Sequence, residues 1–194
     1  MGTYKGAAIG RTGRGDWGHG LHLGLLGNEC IDVLAVADEV EEGRLKAQSQ
    51  LQASRAYADY RQMLDAEQPD IVTIGPRWTD CHLSMVLDCI EAGAHVYCEK
   101  PMTWNLQDAD RIVAAADAAH RKVAVAHQAV YLPRVQHLRT QLDRGCIGAL
   151  QQLHAVVVRK CHASEVCVDG VRKAGEAVNV LDHVAARCGR IGHR

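Results

Sequence analysis

Residues 9–20 read IGRTGRGDWGHG, a density of glycine that suits a loop whose backbone amides close on a phosphate. Set against G-x-G-x-x-G, the first and third glycines are Gly10 and Gly15, Thr12 takes the middle place, and Gly13 adds one more. The Thr12 hydroxyl is small and can donate to a phosphate oxygen, and Arg11 and Arg14 add charged donors. Further along, IDVLAVAD ends on Asp38, where a carboxylate would accept hydrogen bonds from an adenosine ribose. Asp38 lies somewhat beyond the roughly 20 residues usual for that acid. It would repel a 2′-phosphate and so favours NAD, while the nearby arginines keep NADP open. Taken alone, the loop is equally a glycine-rich turn without ligand, and the elements around it must decide.

Those elements alternate. YKGAAI (4–9), IDVLAVAD (31–38), DIVTIG (70–75), HVYC (95–98) and KVAVAH (122–127) are short apolar runs that read as strands. A helical region is expected directly after the glycine loop, its N-terminus adding partial positive charge there. Further helices are expected over 42–53, over 59–67 with Asp59 and Gln62 as a capping box, and from Thr79 or Asp80 to a stop at Gly93. Two more follow over about 105–119, with Asn105 as N-cap, and over 134–145, stopped by Gly145. Strands apolar throughout and separated by helices predict an α/β fold, a doubly wound parallel sheet of Rossmann type. In that setting the glycine loop reads as a dinucleotide site. After Gly148, ALQQLHAVVVRK (149–160) alternates loosely and reads as the start of a second sheet.

The chain of 194 residues is 47% hydrophobic and 23% charged with a net charge of −1, which gives no electrostatic reason to expect nucleic acid or an anionic membrane as partner. No run reaches bilayer-spanning length, MGTYKGAAIG lacks a secretory pattern, and Gly6 breaks the myristoylation motif, so a cytoplasmic protein is expected. Cys30, Cys81, Cys89 and Cys98 sit in or beside apolar runs and read as reduced, buried small hydrophobes. Cys161, Cys167, His183, Cys188 and His193 are zinc-ligating types, but their spacing matches no common finger and no metal is expected.

The segment GAHVYCEKPMT (93–103) resembles the Glu-Lys-Pro signature of the Gfo/Idh/MocA oxidoreductases, the glucose-fructose oxidoreductase and inositol dehydrogenase family. VLAVAD, DIVTIGP, a helix containing His82 and KVAVAHQAVYLPRV follow the same order, so the resemblance spans about residues 4–158. It implies an NAD(P)-binding Rossmann domain over 1–130, followed over 131–194 by the start of a C-terminal substrate domain. It also implies hydride transfer between NAD or NADP, NAD favoured, and a sugar, inositol or related polyol, in a protein that can associate with copies of itself. Lys100 is then the catalytic candidate, an ammonium beside the nicotinamide that donates to the reacting oxygen. Glu99 orients the loop, Pro101 is a candidate cis-proline holding Lys100, and Gln128 falls near the nicotinamide end. His82 and His127 are each read either as ligand contacts or as packing residues, Trp78 either as a stacking partner for adenine or as cover for a strand end, and Cys98 as a buried strand cysteine.

The chain departs from the family at Thr12, at the longer spacing between Pro76 and His82, and in the tail, where no Asp is followed four places later by His. A truncation or shifted frame after about residue 160 is one expectation for that tail. The alternative function is accordingly a non-catalytic dinucleotide-binding remnant or regulator.

Overall fold

A computed structural model describes residues 3–149. The chain divides into two compact units, Met1–Val130 and Tyr131–Arg194. The first contains β1 (Tyr4–Ile9), β2 (Ile31–Ala37), α1 (Glu41–Leu51), β3 (Arg55–Tyr57), α2 (Tyr60–Glu67) and β4 (Ile71–Ile74). It continues with α3 (His82–Glu91), β5 (His95–Cys98), α4 (Leu106–Ala118) and β6 (Val123–Val125). In the second, α5 (Pro133–Asp143) starts on a proline, whose missing N–H costs nothing in a first turn, and Gly145 follows it at φ 72°. The strand expected within 149–160, the candidate zinc ligands and the tail as a whole lie outside the described residues.

The strands form one parallel sheet in the order β3-β2-β1-β4-β5-β6, the Rossmann-type α/β architecture that the alternating pattern predicts. Both faces are covered. Ile9, Ile74 and Val72 pack with Met63, Val86 and Ile112 on one side, while Ala8 and Val36 pack with Leu25, Ala47 and Leu51 on the other. Alanines at the centre of β1, fully buried, let the layers approach closely. The register pairs Ile9 with Ala37 and Ile74, and Ile74 with Cys98, so the residues just beyond these positions emerge side by side at one sheet edge. Strand order reverses between β1 and β4, which opens a crevice at that edge.

The helix ends fall as read: Asp59 accepts from the Arg61 amide at 2.9 Å, Asn105 accepts from the Asp108 amide at 2.8 Å, and Gly93 ends α3 at φ 86°. The Asp59 bond goes to Arg61 and not to Gln62, so the cap is a simple one in place of the expected capping box. Four further expectations need correction. The segment after the glycine loop forms only a 3₁₀ turn, Leu21–Leu25, because closely spaced glycines, with Gly18, Gly20 and Gly27 at φ 61°, 78° and 73°, turn the chain away from a helix. No helix dipole from that segment therefore faces the loop. Helix α3 starts at His82 rather than at Thr79 or Asp80, since the Arg77 amide is drawn to the Gly15 carbonyl at 3.3 Å and Arg11 holds Asp80 at 2.8 Å. Cys30 is exposed, unlike Cys81, Cys89 and Cys98.

The fourth is the sixth strand, β3, three residues without apolar alternation. Side chains anchor it as well as its pairing with β2: Glu67 at the end of α2, 6% exposed, accepts from both the Arg55 guanidinium and the Tyr57 hydroxyl. Among the described residues no helix is long and apolar enough to cross a membrane.

The Arg55 hydrogen bond holds the Glu67 carboxyl below its ordinary value of 4.5. Its contribution to stability is therefore complete above that value and is lost as pH falls through the depressed one. Glu67→Gln should lower the melting temperature at pH 7 by about 3–6 °C. The gap to wild type should close as the pH is taken down towards 3, followed by circular dichroism melts.

Candidate functional site

The candidate residues meet at the carboxyl edge of the sheet. The glycine loop leaves β1 and folds into a closed turn: the Arg11 and Asp16 backbones pair, with the Arg11 amide on the Asp16 carbonyl at 3.1 Å and the return bond at 3.0 Å. Gly13, at its tip, has φ 78° and open space around it. Gly15 and Gly18 are required by contact as well as by positive φ. A Cβ on Gly15 would sit 2.4 Å from the Arg77 amide nitrogen, and one on Gly18 would sit 2.3 Å from the Gly75 carbonyl. The Trp17 ring lies against Gly10, where a Cβ would come within 2.2 Å of it.

Two buried carboxylates hold this loop to the strand ends. Glu99, immediately after β5, is 0% exposed. It accepts from the His19 amide at 3.2 Å, faces the His19 Nδ1 at 3.1 Å, and accepts from the Lys100 amide at 3.1 Å. Asp38, immediately after β2, is 2% exposed and accepts from the Thr12 amide at 3.0 Å, the Thr12 hydroxyl at 2.7 Å and the Val40 amide at 3.0 Å. The Thr12 hydroxyl is thus directed at Asp38. Arg11 is spoken for by Asp80, whose hydrogen bond raises its pKa, and Arg14 is exposed.

Lys100 is half-buried beyond Glu99, and its bond to Pro101 is cis. His82 holds this turn from beneath. Fully buried, it places Nε2 2.6 Å from the Pro76 carbonyl and Nδ1 2.9 Å from the Pro101 carbonyl, which ties the exit of β4 to the Glu-Lys-Pro segment. It is a packing and positioning residue. Cys81, Cys89 and Cys98 are buried, and burial raises their thiol pKa values, as for small hydrophobes in a core. Gln128 and His127 are both exposed just past β6. Trp78 lines a cavity of about 550 Å³ with Arg77, Pro101 and Trp104, the last 87% exposed. Neither tryptophan lines the notch at the ends of β1 and β2, which is bounded by Gly10, Arg11, Asp38, Glu39, Tyr60 and Met85.

The loop amides are paired within the chain. The amides of Thr12, Gly13 and His19 each donate to a carboxylate oxygen, from Asp38, Asp16 and Glu99, so the chain itself supplies the anions that this loop holds. Sequence reasoning did not single out Trp17, His19 or Gly43. A signal existed for the last: a glycine inside the helical pattern EEGRLKAQ needs a packing reason.

Residues 9–127 match the family model Gfo/Idh/MocA, described as an oxidoreductase family with an NAD-binding Rossmann fold. The myo-inositol 2-dehydrogenase of Thermotoga maritima is 27% identical over 117 residues, 60% of this chain and 35% of that protein. The D-apiose dehydrogenase of Paraburkholderia graminis is 34% identical over 118 residues, 60% of this chain and 31% of its own length. Among solved structures, scyllo-inositol dehydrogenase from Lactobacillus casei, with bound NAD(H) and scyllo-inositol, superposes with a TM-score of 0.66. That likeness, at 18% identity over 75% of this chain and 42% of the other, shows the fold. The matched stretch is less than half the length of each of these proteins.

His82→Ala removes the imidazole that lies between the Pro76 and Pro101 carbonyls, with its one N–H donor, and opens a cavity, so the unfolding free energy in urea should fall by about 2–4 kcal/mol. An unchanged midpoint would show that the imidazole does not bridge the two turns.

Proposed function

Because the chain belongs to the Gfo/Idh/MocA oxidoreductase family and carries its NAD-binding Rossmann fold, we propose that residues 1–130 present a nicotinamide dinucleotide to a sugar- or polyol-like substrate for hydride transfer. On this reading residues 131–194 begin the part of the protein that completes the substrate site. The observation that carries it is the union of the two motifs: the buried Glu99 carboxylate joins the glycine loop, through His19, to the turn that bears Lys100. The glycine loop and the backbone of Lys100, itself a half-buried residue, are thereby held at one sheet edge. The substrate class is supported by relatives named for myo-inositol and D-apiose.

The loop from Gly10 through Thr12 and Gly13 to Gly15 would receive the pyrophosphate, with Gln128 and Pro101 towards the nicotinamide end. The nicotinamide ring supplies the hydride acceptor or donor. Lys100 would hold the substrate oxygen and support loss or gain of its proton, with Glu99 fixing the Lys100 backbone rather than touching substrate. Water is kept from the Glu99 side of the loop because that carboxylate is fully enclosed.

NADH titrated into the 194-residue chain should bind saturably and raise the melting temperature; absence of binding by a cooperatively melting chain would overturn the assignment. Lys100→Met should leave NADH binding within about threefold of wild type while polyol oxidation falls by about 10²–10⁴. Calorimetry and nicotinamide absorbance at saturating substrate separate the two effects.

A further inference from the structure

The acid at the end of β2 and the threonine in the glycine loop lie 26 positions apart in the chain. Here they are one unit. Asp38 receives the Thr12 amide on both oxygens, at 3.2 and 3.0 Å, the Thr12 hydroxyl on Oδ2 at 2.7 Å, and the Val40 amide on Oδ1 at 3.0 Å. A carboxylate offers about four lone-pair sites, so these donors leave little capacity for a pair of ribose hydroxyls. At 2% exposure there is also little surface for them to approach.

Helix α1 makes the room for this contact. A Cβ on Gly43 would fall 1.8 Å from the Thr12 Oγ1, 2.9 Å from the Thr12 Cβ and 3.2 Å from the Asp38 Oδ2. A glycine weakens a helix interior relative to alanine, so its place here has a physical reason: the missing side chain is the recess that Thr12 occupies. A threonine in the loop, a glycine in α1 and an acid after β2 thus fit one another.

The next residue is placed differently. Glu39 is exposed and lines the same notch as Asp38, beside Gly10, Arg11 and Tyr60. Among the described residues its carboxylate has no hydrogen-bond or ion-pair partner, whereas its backbone carbonyl is approached by Arg44 at 3.4 Å. A carboxylate open to solvent at the mouth of this notch can accept a ribose hydroxyl and repels a phosphate on the same carbon.

We infer that Asp38 is a latch closing the glycine loop onto Thr12 in the recess left by Gly43, and that discrimination between NADH and NADPH is made by Glu39. The latch is a property of the unliganded chain. The Glu39 assignment rests on the dinucleotide reading above.

The latch is tested without nucleotide, by thermal melts of the 194-residue chain. Gly43→Ala should lower the melting temperature in the wild-type background and be tolerated, or be stabilising, when combined with Thr12→Gly. Thr12→Val and Asp38→Asn should each destabilise, and the double variant should melt no lower than the worse single. Equal effects of Gly43→Ala in both backgrounds, or additive effects of Thr12→Val and Asp38→Asn, would overturn the latch.

The specificity claim is tested by calorimetric titration of the same chain with NADH and NADPH. Glu39→Gln should shift the ratio of dissociation constants towards NADPH by about tenfold or more, the effect of relieving one like-charge contact at an exposed site. Thr12→Val should leave that ratio within about twofold, since a loop defect weakens both nucleotides alike. A ratio that moves with Asp38→Asn and not with Glu39→Gln would restore Asp38 as the ribose acid. Wild-type binding of neither nucleotide would overturn the Glu39 assignment together with the dinucleotide reading, whereas the Thr12–Gly43 melts still decide the latch independently.

Discussion

A carboxylate withdrawn from water needs donors, because leaving it unpaired costs several kcal/mol in a protein interior. At the carboxyl edge of this sheet that requirement organises the loop. Glu99 finds its donors in the amide and ring of His19 and in the Lys100 amide, and Asp38 finds them in Thr12 and Val40. Each strand end thereby holds a different part of the glycine loop, one at its beginning and one near its end. The loop lacks the α-helix that commonly follows such a segment, and the two carboxylates do the anchoring that helix packing would otherwise do.

The sheet sets where those carboxylates can stand. Parallel pairing with Ile9, Ala37, Ile74 and Cys98 in register brings Gly10, Asp38, Gly75 and Glu99 out along one edge, although they are far apart in the chain. The reversal of strand order between β1 and β4 leaves that edge uncovered. Close contacts then exclude side chains at particular points. Gly10 lies against Trp17, Gly15 against the backbone of Arg77, and Gly18 against Gly75 and Glu99. His82 completes the frame by joining the turns that follow β4 and β5.

The legible parts of the fold were those written in local pattern. Apolar runs bounded by glycine and polar residues gave the positions of β1, β2, β4, β5 and β6, and Asp59, Asn105 and Gly93 marked helix ends through side chains or backbone freedom that act within a few residues. Strand β3 was not legible, since Arg55–Tyr57 is too short for a period and is held largely by Glu67 of a later helix. The start of α3 was misplaced for a similar reason. The residues before His82 would continue a helix on propensity, but the Gly15 carbonyl takes the Arg77 amide and Arg11 takes the Asp80 side chain.

The chain by itself determined the order of its elements, the place of the glycine loop and the family signature at Glu99–Pro101, because periodicity, caps and motif spacing act over short stretches. Tertiary structure alone decided what those residues touch. The Thr12 hydroxyl meets a carboxylate 26 positions away, and His19 meets one 80 positions away. Which donor a buried acid captures depends on which strands lie side by side and how closely a helix packs over them. That outcome is set by the register of the sheet and by the space left at Gly43, and no local pattern encodes it.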